Sequence, residues 1–100
     1  EYRIKFKASA AKEFRKLPAN IQKRLQIPIN ALRTEPRPSG SIKLQGSDQL
    51  YRIRVGDYRV VYSIDDTIKI IVVTRVDIDE MSTINVFEKL AEQKVPFESD

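Results

Sequence analysis

Four arginines carry most of the chemistry this sequence can offer. Arg52 and Arg54 alternate in the run LYRIRV, Arg59 follows a Gly56-Asp57 reversal, and Arg75 ends an apolar run. Guanidinium groups stay protonated and present planar paired donors, so several of them on neighbouring strands suit phosphate oxygens. Lys43, on a short preceding strand, would extend such a surface. The same four side chains also suit the plain solvent face of an antiparallel meander, which must be polar somewhere. The lack of acidic partners on that face of the hairpin keeps the phosphate reading open.

What is missing narrows the chemistry further. The chain has no histidine and no cysteine. Histidine-based triads, histidine-paired ribonuclease mechanisms, thiolate nucleophiles and disulfides are therefore excluded, and most zinc sites with them. Any catalysis must use carboxylates, tyrosine, lysine or arginine. The net charge of +4 is unevenly spread: residues 1–75 hold 16 Lys+Arg against 7 Asp+Glu, and residues 76–100 hold 2 against 7. A basic body points to phosphate-rich partners. Asp65-Asp66 reads as a turn, and Asp77, Asp79 and Glu80 as a solvated acidic segment without the glycine-punctuated calcium pattern. No metal and no cofactor is expected. Tyr51, Tyr58 and Tyr62 read as core or rim packing more than as platforms for bases. No stretch approaches the roughly 20 apolar residues of a membrane span, and the absence of cysteine favours the cytosol.

The elements that must position the arginines follow from periodicity. Residues 2–7 alternate strictly, with Tyr2, Ile4 and Phe6 on one side, as in a half-buried strand. Ser9 is the expected cap of a helix that Pro18 ends. A second helix is expected over 19–33, with Ile21, Leu25, Ile29 and Leu32 on one face. Pro28 inside it predicts a kink or a frayed second half. Residues 35–40 form a loop by their prolines and glycine, 42–44 a short edge strand, and 46–48 a turn. The strongest signal is a hairpin of 50–55 and 58–64 across Gly56-Asp57. A nearly continuous apolar run over 67–76 predicts a strand buried on both faces, paired with the first strand. The expected fold is α+β: a strand, a helical hairpin and a three-stranded meander, with the helices covering one face of a mostly antiparallel sheet.

At the hairpin the sequence becomes specific. LYRIRVGDYRVVYSIDD, residues 50–66, closely resembles the core signature of the RelE/ParE superfamily of bacterial toxin–antitoxin toxins. KASAAKEFRKLPANIQKRL and LRTEPRPSGSIKLQG are similar to that family's helix pair and the loop after it, so the resemblance covers about residues 1–76. It implies a compact toxin silenced by a cognate antitoxin. RelE-like members cleave messenger RNA, usually in the ribosomal A site; ParE-like members poison gyrase. The resemblance implies that Arg52 and Arg54 hold the RNA and support proton transfer, and that Arg59 stabilises the phosphate. Arg75 and Lys43 would complete the RNA-binding set. A RelE-like endoribonuclease of the cytoplasm is the expected function; a non-nucleolytic relative, bound to an antitoxin or directed at gyrase, is the alternative.

The pattern breaks after Val76. Active RelE relatives continue with a glycine, a basic run and then an aromatic, commonly tyrosine; here the chain reads DIDEMSTINVF, and Phe87 has no hydroxyl. The chain thus divides into a toxin core over 1–76 and an acidic segment over 77–100. Within the segment, Ser82 or Thr83 can cap a helix carrying Ile84, Phe87, Leu90 and Ala91 on one stripe, ended by Lys94 and Pro96. Such a helix would pack on the domain or a partner, or lie across the arginine face; a frameshift or fusion near Val76 would also explain the charge reversal.

Overall fold

The structure, a computed structural model, describes residues 1–46 and 49–78. The expected helix over 82–94, its stripe, Asp79 and Glu80 lie outside these residues, as do Ser47 and Asp48 of the expected turn. The elements run β1 (Arg3–Phe6), α1 (Ala8–Arg15), α2 (Ala19–Ala31), β2 (Ile42–Lys43), β3 (Leu50–Val55), β4 (Tyr58–Asp65) and β5 (Ile70–Ile78). They form a five-stranded sheet in the order β1-β5-β4-β3-β2, with β1 parallel to β5 and every other pair antiparallel. The mixed α+β arrangement matches the expectation from periodicity.

One face of the sheet holds the core. Ala10 from α1, and Leu25, Ile29 and Leu32 from α2 and its end, pack against Ile53, Val60, Tyr62, Ile64, Ile71, Val73 and Val76. Burying each of the larger apolar side chains contributes on the order of 1.5–3 kcal/mol, and this apolar contact layer fixes the helices to that one face.

Four local expectations change. Helix α1 starts at Ala8, with Lys7 at its cap and no side-chain capping bond, so Ser9 lies inside the first turn. The reason is continuity: the Lys7 amide still bonds the Val73 carbonyl of β5 (2.9 Å), and its own carbonyl already accepts from Ala11 (2.8 Å). Helix α2 runs through Pro28 to Ala31, and its second half does not fray, because Ile29 and Leu32 are buried in the core. The last strand begins at Ile70 rather than 67, because the Asp65 side chain captures the Thr67 and Ile68 amides (3.0 and 3.2 Å) in a turn. On β5 the burial alternates instead of covering both faces: Ile71 and Val73 are buried, Ile70 and Val72 only half-buried.

The β3–β4 hairpin turns in two residues, since Val55 pairs with Tyr58. Gly56 has φ +60, as in a type II′ turn, and a Cβ there would lie 2.9 Å from the Arg24 guanidinium of α2. The positive φ is what calls for glycine, since the guanidinium, at the end of a flexible side chain, can swing aside.

The loop after α2 is clasped to the far end of the sheet. Arg37 donates through Nη1 and Nη2 to the two oxygens of Asp66 (3.3 and 2.9 Å) and through Nε to the Tyr51 hydroxyl (3.1 Å). Tyr2 donates its hydroxyl to Asp66 (2.6 Å), and the buried Tyr62 donates to the Pro36 carbonyl (2.8 Å). Arg37 and Tyr2 hold the Asp66 carboxyl below the usual carboxylate range. The bond to Asp66 raises both Tyr2 and Arg37, and burial pushes Tyr62 up to about 12.

Candidate nucleic-acid interface

The register of the three central strands brings the arginines together. Arg54 pairs directly with Arg59, and Arg59 with Asp77, so these three form one row across β3, β4 and β5. Arg52 pairs with Val61, and Val61 with Arg75, forming a second row beside it. Directly paired residues share a face, and this face is the one opposite the helices. Val61, between Arg52 and Arg75, is only 7% exposed although it lies outside the helix-packed core. The aliphatic stems of long basic side chains commonly shelter such a residue while their heads reach water. Lys43 is not part of this group: it pairs with Tyr51, which places it on the helix side of the sheet.

Arg75 reaches this face because β5 is irregular. The register slips between Val61 and Tyr62: Val61 faces Arg75 but Tyr62 faces Val73, leaving Thr74 as the extra residue of a bulge. Strict alternation from Ile71 and Val73 would have put Arg75 and Asp77 on the core side and Val76 outside. The bulge inverts that phase, so Val76 is buried (2% exposed) and Arg75 and Asp77 turn outward. Two side chains fix the slip. Thr74 donates its hydroxyl to the Val61 carbonyl (3.2 Å), and the Glu13 carboxylate of α1 accepts the Val76 amide (2.8 Å).

The outward turn also delivers a carboxylate into the cluster. Asp77 takes Arg59 through Nε and Nη2, both at 3.2 Å, and Arg75 through Nε at 2.6 Å. The Arg59 and Asp77 side chains are 20% and 24% exposed, and Arg75 is 60% exposed. The expectation that no acidic partner shares the arginine face therefore fails at Asp77, which belongs to β5 itself. Arg54 donates Nε to the Gly56 carbonyl (3.3 Å) across the hairpin turn. The three strands thus assemble a basic surface in which two guanidiniums share one internal anion. The tyrosines pack as expected: Tyr62 is buried, Tyr51 stacks on it at 6.1 Å, and Tyr58 borders the core.

Sequence reasoning missed Glu13 and the bulge. The buried positions of β5 step by two from Ile71 to Val73 and then by three to Val76, but Ile70 and Val72 are apolar as well, so the continuous run concealed the slip.

Comparison with known proteins agrees with this fold. Residues 4–82 match the family model described as ParE toxin of type II toxin-antitoxin system, parDE. A RelE1 toxin homologue from Methanocaldococcus jannaschii is 33% identical over 76 residues, covering 71% of this chain and 84% of the relative. The archaeal RelE of the RelE–RelB complex from Pyrococcus horikoshii superposes with a TM-score of 0.69 at 34% identity, over 77% of this chain and 93% of the other. The isolated E. coli RelE toxin superposes with a TM-score of 0.74 at 27% identity, over 93% and 98%.

Proposed function

The chain belongs to the RelE/ParE superfamily of type II toxin–antitoxin toxins and is RelE-like, and from that premise we propose that it is an attenuated ribosome-dependent mRNA interferase of the cytoplasm. The observation that carries this reading is the gathering of Arg52, Arg54, Arg59 and Arg75 from three adjoining strands onto one face. RNA cleavage of this type has the ribose 2′-OH attack the adjacent phosphate while the 5′-oxygen leaves. Orientation and stabilisation of the extra phosphate charge can drive it without histidine. In this reading Arg52 and Arg54 hold the RNA backbone, and Arg59 meets the phosphate. Asp77 attenuates the reaction, because a carboxylate beside a phosphate opposes the field the arginines supply. The archaeal RelE and E. coli RelE relatives occur in complexes with RelB antitoxins, which supports a cognate antitoxin as this chain's protein partner.

One observation favours a second reading. Asp77 holds both Arg59 and Arg75, which suits a non-nucleolytic toxin that binds an antitoxin or acts on gyrase. Inducing the chain in bacteria and mapping transcript ends separates the two. Cuts at codon positions that vanish with Arg59→Ala support the interferase. A DNA-damage response without cuts supports the gyrase-directed form, and cuts that persist unchanged in Arg59→Ala would show that the site is misplaced.

A further inference from the structure

Two guanidiniums from neighbouring strands close on a single carboxylate within the basic face. We propose that Asp77 is the resident occupant of an oxyanion site: its two oxygens take the places of phosphate oxygens between Arg59 and Arg75. An external phosphate enters only when that charge is removed. The proposal rests on the RNA-directed reading above and names how its site is regulated.

The contacts have the form a phosphate would receive. Arg59 presents Nε and Nη2 to separate oxygens of the same group at equal distances of 3.2 Å, the side-on fork that guanidinium groups offer to carboxylates and phosphates alike. Arg75 adds a third donor, its Nε, to the Oδ2 that also takes Arg59 Nη2. Both guanidiniums already spend donors on this carboxylate. At contact, an external anion must displace Asp77 and approach a like charge.

Closure is built in rather than gated. Asp77 lies on β5 in register with Arg59, and its short side chain leaves it little room to reach elsewhere. The bulge that sends Arg75 outward sends Asp77 with it, so Glu13 and Thr74, which pin that bulge, set the plug and its socket together.

The test uses the full chain with Asp77→Asn, which keeps the shape, and Asp77→Thr, which keeps a strand-favouring residue should the first variant fold poorly. Inorganic phosphate is titrated while the Arg59 Nε–H signal is followed by NMR. The expected result is saturable binding in the Asp77 variants, roughly tenfold or more tighter than in the native chain, and lost in Asp77→Asn/Arg59→Ala. Equal phosphate binding by the native chain and the variants, or none by any of them, overturns the proposal. A single-stranded RNA oligonucleotide then separates the two readings. Affinity should rise about tenfold in Asp77→Asn, with a salt slope steeper by about 0.7 for each arginine contact released. A phosphate site that opens with no RNA binding would leave the plug standing and remove the RNA-directed reading. RNA binding that depends on Arg52 and Arg54 but ignores Asp77 would do the reverse.

Discussion

The two ends of β4 each carry an arginine–aspartate site, and the two are built for opposite purposes. Near Asp65, the clasp sets one guanidinium, Arg37, against one carboxylate, Asp66, and the hydroxyls of Tyr2, just before β1, and of Tyr51 on β3 take further places around the pair. Its members come from positions 2, 37, 51 and 66, so the clasp ties the loop, the first strand and the β4–β5 turn into one unit. Near Tyr58, one carboxylate is shared by two guanidiniums from adjacent strands, and Arg54 stands beside them. Those strands are already joined by their backbone ladder, so this cluster adds little to the connectivity of the fold. One site ties together segments that are distant in sequence; the other gathers like charges around one carboxylate on a surface the sheet already holds.

The comparison breaks first on RNA affinity. Replacing both Arg52 and Arg54 with alanine should weaken binding of single-stranded RNA by about a hundredfold at low salt, from the loss of charge-assisted bonds of roughly 1.5 kcal/mol each. The melting temperature should move less than in any clasp variant. Filter binding and thermal melts on the same preparations check both halves. Arg37→Ala should do the opposite, lowering the melting temperature by several degrees while RNA affinity stays within about twofold; a large loss of RNA binding would show that the clasp belongs to the ligand surface. Tyr62→Phe, which removes the hydroxyl that meets the Pro36 carbonyl, should cost about 1 kcal/mol in urea unfolding.

The smallest expected effect is on acid stability. The folded state lowers the Asp66 carboxyl, so its contribution is complete above the ordinary carboxylate range and fades as pH falls through the lowered value. Asp66→Asn should therefore flatten the acid limb of the stability profile and leave its slope near neutrality unchanged. An unaltered acid limb would mean that other carboxylates govern it.

Much of this architecture was legible because it rests on local periodicity. The alternation in LYRIRV and the glycine at 56 specify the hairpin, and the spacing of Leu25, Ile29 and Leu32 specifies the buried face of α2. The resemblance of residues 50–66 to RelE/ParE toxins then placed three of the arginines together before any coordinates. Contacts between distant positions were not legible. Nothing near Glu13 announces that it will accept the Val76 amide, and nothing near Arg37 announces Asp66, because each bond exists only once the sheet is assembled. Lys43 shows the limit of reading sign without phase: its charge suited the surface, but its register turned it away. Asp77 was read as the point where basic residues give way to acidic ones, and the bulge decided where that change of sign would act.

The pairing of β1 with β5 has a consequence for synthesis. The strand Arg3–Phe6 finds its sheet neighbour only at residues 70–73. A growing chain must therefore hold β1 without its sheet neighbour until those later residues have left the ribosomal tunnel, and pairings across so long a stretch form slowly. Arg59 and Arg75 share no surface before β5 is in place, so the machinery that makes this protein does not meet the finished arginine face until translation of its core is nearly over.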